Sequence, residues 1–209
     1  MTPLKIFDVE SSVLHHPFDG DYHQYASGNT KDLFPIIYRK PGDVLLVVTK
    51  ETQDLKGQTA SLTLKAAPLG LKGDLLVLDI HNKQLSSTEV GEDNEVHLDV
   101  PLDTGPAMFR ILNKPEVPTA IWHSPAVWHV NSVAKKPILA VGGTRNRLHV
   151  QSTGVPLSSG KIYLWCSDMG EPQAASGASR ILDYSDQMNM ATISVDFDGQ
   201  ADNETWLQY

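Results

Sequence analysis

Hydrophobic residues occupy every second position over much of this chain. Leu62, Leu64 and Ala66 alternate with polar neighbours in SLTLKA, Val96, Leu98 and Val100 in EVHLDV, and Leu148 and Val150 in RLHVQ. Ala191, Ile193, Val195 and Phe197 continue the pattern in ATISVDF. A period of two gives an extended segment one apolar and one polar face, so each stretch predicts a half-buried antiparallel strand. Two runs, VLLVV at 44–48 and LLVLDI at 75–80, are apolar on both faces and predict strands inside a sheet. Lys40-Pro41-Gly42-Asp43, Leu71-Lys72-Gly73-Asp74, Gly142-Gly143 and Ser158-Ser159-Gly160 supply turn chemistry between the runs. Helix is expected to stay below about 15%. The one weak helical candidate is SRILDYSDQM at 179–188.

The fold class this predicts is all-β, an antiparallel β-sandwich, organised as two tandem immunoglobulin-like domains. The boundary falls at Asn113-Lys114-Pro115-Glu116-Val117-Pro118, where alternation stops and then restarts. Its paired prolines favour an extended, stiff connection. Residues 1–115 are expected to form an N-terminal β-sandwich with an N-terminal extension, and residues 119–209 a C-terminal immunoglobulin-like sandwich. A single larger sandwich, with the proline segment as a crossover, is the alternative.

Charge and composition narrow the function. Against 17 basic residues stand 25 acidic ones, a formal net charge of −8 over 209 residues. Such a surface disfavours nucleic acid, whose phosphates need cationic partners. No apolar run approaches the roughly 18 residues of a membrane span. A single cysteine excludes an intrachain disulfide. The opening MTPLKIFDVESS carries neither the charged nor the apolar region of a signal peptide, which leaves the compartment open.

The segments IWHSPAVWHV and GGTRNRLHVQSTGVPLSSGKIYLWCSD carry a further pattern. Trp122, Ser124, Pro125 and Trp128 precede a strand holding Asn146, Leu148 and Val150; Pro156 and Gly160 follow, then Tyr163, Leu164 and Trp165. This resembles bacterial immunoglobulin-like domains of the cell-adhesion-related type, over residues 120–168 only. Two departures stand out. Gln151-Ser152-Thr153-Gly154 replaces the family's Arg-Asn-Arg-Gly, and Ala126 replaces an aspartate often found after Ser-Pro. The resemblance implies a noncatalytic spacer or binding module and transfers no active site. In the first half, KPGDVLLVV and EVHLDVPLDTGPAMFRIL have a looser likeness to the same sandwich class, the latter as two consecutive strands. Cys166 stands alone, so the disulfide core of antibody domains is missing.

Candidate chemistry is sparse. Asp19, Asp21 and His23 are two apart, so an extended chain directs all three side chains one way, toward a first-row divalent metal. A solvated turn is the plainer reading. Trp122 and Trp128 are candidate binding residues, for a sugar ring or a protein partner, and equally candidates for core packing. His123 and His129 flank the same segment. Acidic residues cluster at Glu89–Asp103 and again after Arg180, where Asp196, Asp198, Asp202, Asn203 and Glu204 offer hard oxygens suited to calcium. There is no Gly-x-Ser-x-Gly elbow and no His-Glu-x-x-His. Gly154 to Lys161 lacks the spacing of a phosphate loop, and Cys166 has no local cation to activate it. No cofactor is implied beyond a divalent metal.

Three readings follow. The first is a noncatalytic β-sandwich module for binding, adhesion or assembly with a protein or carbohydrate partner. The second is a metal-binding β-protein or small metal-dependent enzyme using Asp19, Asp21 and His23. The third is a carbohydrate-binding module using exposed tryptophans.

Overall fold

The computed structural model describes residues 13–15, 26–28, 33–50, 59–101, 107–125, 138–144, 146–153, 157–175, 179–197 and 202–209. It is almost entirely β, 67% strand and 6% helix, and every strand pair is antiparallel. The chain divides into two compact units, one spanning Glu10–Lys114 and the other built on Pro115–Tyr209.

In the first unit the strands are β1 (Val13–His15), β2 (Ala26–Gly28), β3 (Leu33–Lys40), β4 (Asp43–Lys50) and β5 (Thr59–Lys65). After one short helix, α1 (Ala66–Leu69), come β6 (Asp74–Asp79), β7 (Gln84–Glu89), β8 (Glu95–Pro101) and β9 (Ala107–Asn113). They form a six-stranded sheet, β1-β3-β4-β9-β6-β7, and a three-stranded sheet, β2-β5-β8. One core joins them: Val44, Leu46, Val77 and Ile111 from the larger sheet meet Leu62, Leu64, Val96 and Val100 from the smaller. The runs at 44–48 and 75–79 do lie inside the larger sheet, in β4 and β6, with Ile80 in the turn that follows. Leu45, Leu76 and Leu78 on its second face are buried as well.

Polar groups hold the ends of this unit. Pro41-Gly42 forms the β3–β4 turn, with Gly42 at φ +75°. A side chain at 42 would collide with the Asn113 amide, so both conformation and space favour glycine. The Gly42 N–H donates to Leu69 O and its carbonyl accepts from Asn113 N–H, each at 2.9 Å. The Asn113 side chain donates to Gly70 O (3.1 Å) and accepts from Lys72 N–H (2.9 Å). Nearby, Arg110 is only 8% exposed. Its Nε and Nη2 donate to the two carboxylate oxygens of Asp43 at 3.0 and 2.8 Å, a bidentate pair that makes the buried charge tolerable.

The second unit contains β10 (Thr119–Pro125), β11 (Ile138–Thr144), β12 (Arg147–Thr153) and β13 (Ser158–Trp165). A 3₁₀ turn (Ser167–Met169) leads to β14 (Ala174–Ala175), β15 (Ser179–Ser185), β16 (Met190–Phe197) and β17 (Asp202–Gln208). Two four-stranded sheets, β10-β13-β16-β15 and β11-β12-β17-β14, bury Ile162, Leu164, Ile193 and Val195 of one against Leu148, Val150 and Leu207 of the other. Pro115 and Glu116 belong to this unit: their carbonyls accept from Trp165 Nε1 (3.3 Å) and Ser167 Oγ (3.1 Å).

Three sequence expectations are corrected. SRILDYSDQM is β15 and the following turn, not a helix. A bulge between Ile181 and Asp183 inserts one residue, so Ile181 and Tyr184 reach the core three positions apart and imitate helical spacing. Gly142-Gly143 lies within β11, opposite His149 and Leu148, because ladder hydrogen bonds need no side chain. Ser158-Ser159-Gly160 likewise begins β13 rather than making a turn, opposite Phe197, Asp196 and Val195.

Asp43→Ala should destabilise the protein by about 3 kcal/mol, since it removes two charge-assisted hydrogen bonds from a largely buried guanidinium. Phe197→Ala, removing a ring 1% exposed, should cost about 3–5 kcal/mol. Asp74→Ala removes only an exposed pair with Lys114 and should cost less than about 1 kcal/mol. Urea midpoints of the three variants check this ordering.

Candidate functional site

The described residues include only part of the sequence-derived candidates. Asp19, Asp21, His23 and Trp128 lie outside the described residues, as does His129. Trp122 is in β10 and only 8% exposed, so its ring is not presented to a sugar or a partner. It also misses the wall formed by Ile162 and Leu164. A bulge at Ile121 aligns Trp122 with Tyr163, on the other face of the sheet from those two residues. Of the calcium-like oxygens, Asp198 lies outside the described residues, and Asn203 and Glu204 face opposite ways. Asn203 Nδ2 donates to the Asp196 carbonyl at 3.2 Å, while Glu204, the next residue of β17, alternates to the opposite face and accepts from Gln151 Nε2 at 3.0 Å.

That opposite face carries an arrangement the sequence reading missed. β12 and β17 pair so that His149 faces Trp206 and Gln151 faces Glu204. Leu148, Val150, Thr205 and Leu207 turn inward and are buried, which directs Arg147, His149, Glu204 and Trp206 outward. The imidazole of His149 stacks on Trp206 with centroids 3.9 Å apart and planes 9° from parallel. The guanidinium of Arg147 lies over the same indole, 4.3 Å from the ring centroid. His149 Nε2 has no hydrogen-bond partner among the described residues and lies 3.9 Å from a Glu204 oxygen. On the next strand the residue facing His149 is Gly142, which adds no side chain to this surface. The available signal was the alternation of Thr205 and Leu207 with Glu204, Trp206 and Gln208.

A second group lies in the first unit, where the turn Gly91–Asn94 enters β8. Gly91 N–H donates to Glu95 O and Asn94 N–H to Gly91 O, both at 2.9 Å, with Asn94 in the left-handed region at φ 64°. Asp93 Oδ1 accepts from the Glu95 N–H at 3.1 Å. Val96, Leu98 and Val100 point into the core, so Glu95, His97 and Asp99 face outward. One ligand atom from each of Asp93, Glu95 and His97 lies within 4.8 Å of the others. His97 Nδ1 is 3.1 Å from Thr63 Oγ1, its register partner on β5, while Nε2 is 3.7 Å from Asp93 Oδ2. The pattern Asp-x-acid-x-His at 93–97 is the same as at 19–23. Applying that template along the whole chain would have found it.

Two other features bear on chemistry. An open cleft of about 550 Å³ runs beside β15, lined by Glu171, Pro172, Gln173, Ile181, Leu182 and Asp183. Cys166 is fully buried, and burial pushes its thiol pKa up despite hydrogen bonds from Tyr209 and the backbone. A thiol so placed is a poor nucleophile. Tyr209 donates its hydroxyl to Cys166 Sγ at 3.7 Å, and burial raises its pKa strongly, the nearby thiol adding to the effect. No protein-family model matches the chain, and no curated protein matches it.

The buried thiol and phenol predict an alkaline limit. Both groups are neutral in either state below about pH 7.5 and contribute no pH dependence there. Above that, the unfolded chain releases these protons more readily than the folded one, so stability falls as pH rises. Denaturant midpoints measured from pH 7 to 11 should decline on the alkaline side, and Cys166→Ala and Tyr209→Phe should each flatten the decline.

Proposed function

We propose that this chain is a noncatalytic β-sandwich binding module for adhesion or assembly, engaging a protein or carbohydrate partner through the outer face of β12 and β17. The observation that carries the reading is the stack of Arg147, Trp206 and His149 on that face, with Gln151 and Glu204 beside it. Tryptophan and arginine dominate binding hot spots, because each combines a large apolar contact with directional polar groups. Here each strand is anchored by its inward residues, so the stack is presented on a rigid platform. The likeness of residues 120–168 to bacterial immunoglobulin-like domains supports the same class. The tryptophan-based carbohydrate reading gains Trp206 as a candidate in place of the buried Trp122.

Screening the purified chain against a glycan array and a displayed-peptide library tests this. For any ligand recovered, Trp206→Ala should weaken binding at least tenfold, about 1.4 kcal/mol, with Arg147→Ala also weaker than wild type. If recovered ligands bind Trp206→Ala as tightly as wild type, the stack is structural and the reading fails.

A further inference from the structure

We infer that Asp93, Glu95 and His97 form a binding site for a first-row divalent cation such as zinc or manganese. The donor set is two carboxylate oxygens and one imidazole nitrogen, which suits these ions better than calcium or magnesium, whose sites are built from oxygen alone.

The geometry is close to what such an ion imposes. Ligand bonds of about 2.1 Å place donor atoms roughly 3.4 Å apart at tetrahedral angles and at most about 4.2 Å apart across the ion. His97 Nε2 and Asp93 Oδ2 are already 3.7 Å apart, and the whole set lies within 4.8 Å. Bringing the widest pair from 4.8 Å to tetrahedral spacing needs a closure of about 1.4 Å, which rotation of the exposed Asp93 and partly exposed Glu95 side chains can supply.

Support from outside the ligand set aims the ring. Thr63, facing His97 across the β5–β8 pair, lies at hydrogen-bond distance from Nδ1. With Nδ1 donating to the threonine hydroxyl, Nε2 keeps its lone pair on the side where Asp93 Oδ2 stands. Asp93 is held in turn, since Oδ1 accepts from the Glu95 N–H and Oδ2 is left toward the imidazole. Glu95 and His97 sit on a strand whose alternate residues are locked in the core, and Lys65 faces Glu95 in register. With Asp99 also outward on β8, the surroundings keep a net negative charge that attracts a cation. The first-coordination positions left open face solvent and would be filled by water.

Calorimetric titration of untagged protein with zinc, manganese and calcium chlorides tests the site, with the thermal midpoint recorded beside each titration. Zinc or manganese should raise the midpoint, and calcium should bind at least tenfold more weakly. His97→Ala and Asp93→Asn, both at exposed positions, should each weaken binding at least tenfold and abolish the thermal shift while leaving the metal-free midpoint unchanged. A His23→Ala variant distinguishes the second Asp-x-acid-x-His segment. Should zinc binding vanish with His23→Ala and survive His97→Ala, or should wild-type protein bind neither zinc nor manganese, the assignment is overturned.

Discussion

Successive side chains on a strand point to opposite faces, so a shift of one residue would carry Leu62 and Leu64, or Ile193 and Val195, from core to water. Register is therefore the constraint on which both units rest. Its distribution along the strands is uneven. The interior pairs β4–β9, β6–β9, β12–β17 and β13–β16 run without interruption. The three register shifts among the described strands occur in β10, β11 and β15, each at the edge of its sheet. An inserted residue is cheap there, because only one neighbour must accommodate it, and it blunts an edge that could otherwise template pairing with another chain.

That distribution explains what the amino-acid pattern revealed and what it hid. SLTLK, EVHLDV, RLHVQ and ATISVDF are strands because uninterrupted register preserves strict alternation, while Ala66, the last of the SLTLKA alternation, begins α1. In β15 the bulge replaces a spacing of two by three, which is a helix-like signal in a strand. β17 was hard to see for a different reason: its inward residues are Thr205 and Leu207, and a buried threonine does not read as apolar. The pairing of His97 with Thr63, or of His149 with Trp206, depends on which strands are neighbours, and local alternation carries no information about that.

Trp122 and Trp206 show how far residue type falls short of role. Both are tryptophans on strands in one unit, and both alternate away from its core. Trp122 is nonetheless buried, beside a register shift and opposite Tyr163, whereas Trp206 is partly open and in contact with His149 and Arg147. The two surfaces singled out, one in each unit, share a construction. Each uses the outward positions of a strand whose inward positions are fully buried, so apolar packing sets the position of polar groups. Neither depends on a long loop for its side-chain placement, apart from Asp93 in the turn before β8.

The order of strands in the larger sheet has a kinetic consequence. β9 is the last strand of the first unit in the chain, yet it lies between β4 and β6. During synthesis β3 and β4 can pair, and so can β6 and β7, well before residues 107–113 emerge. Until they do, the inner edges of VLLVV and LLVLDI have no partner, and these are among the most apolar segments of the chain. The sheet therefore closes by insertion rather than by growth from one end, and its completion must bridge separations of about 30 to 70 residues. A nascent chain halted just short of residue 107 would hold two sticky half-sheets, the form in which this protein is most exposed to misassembly.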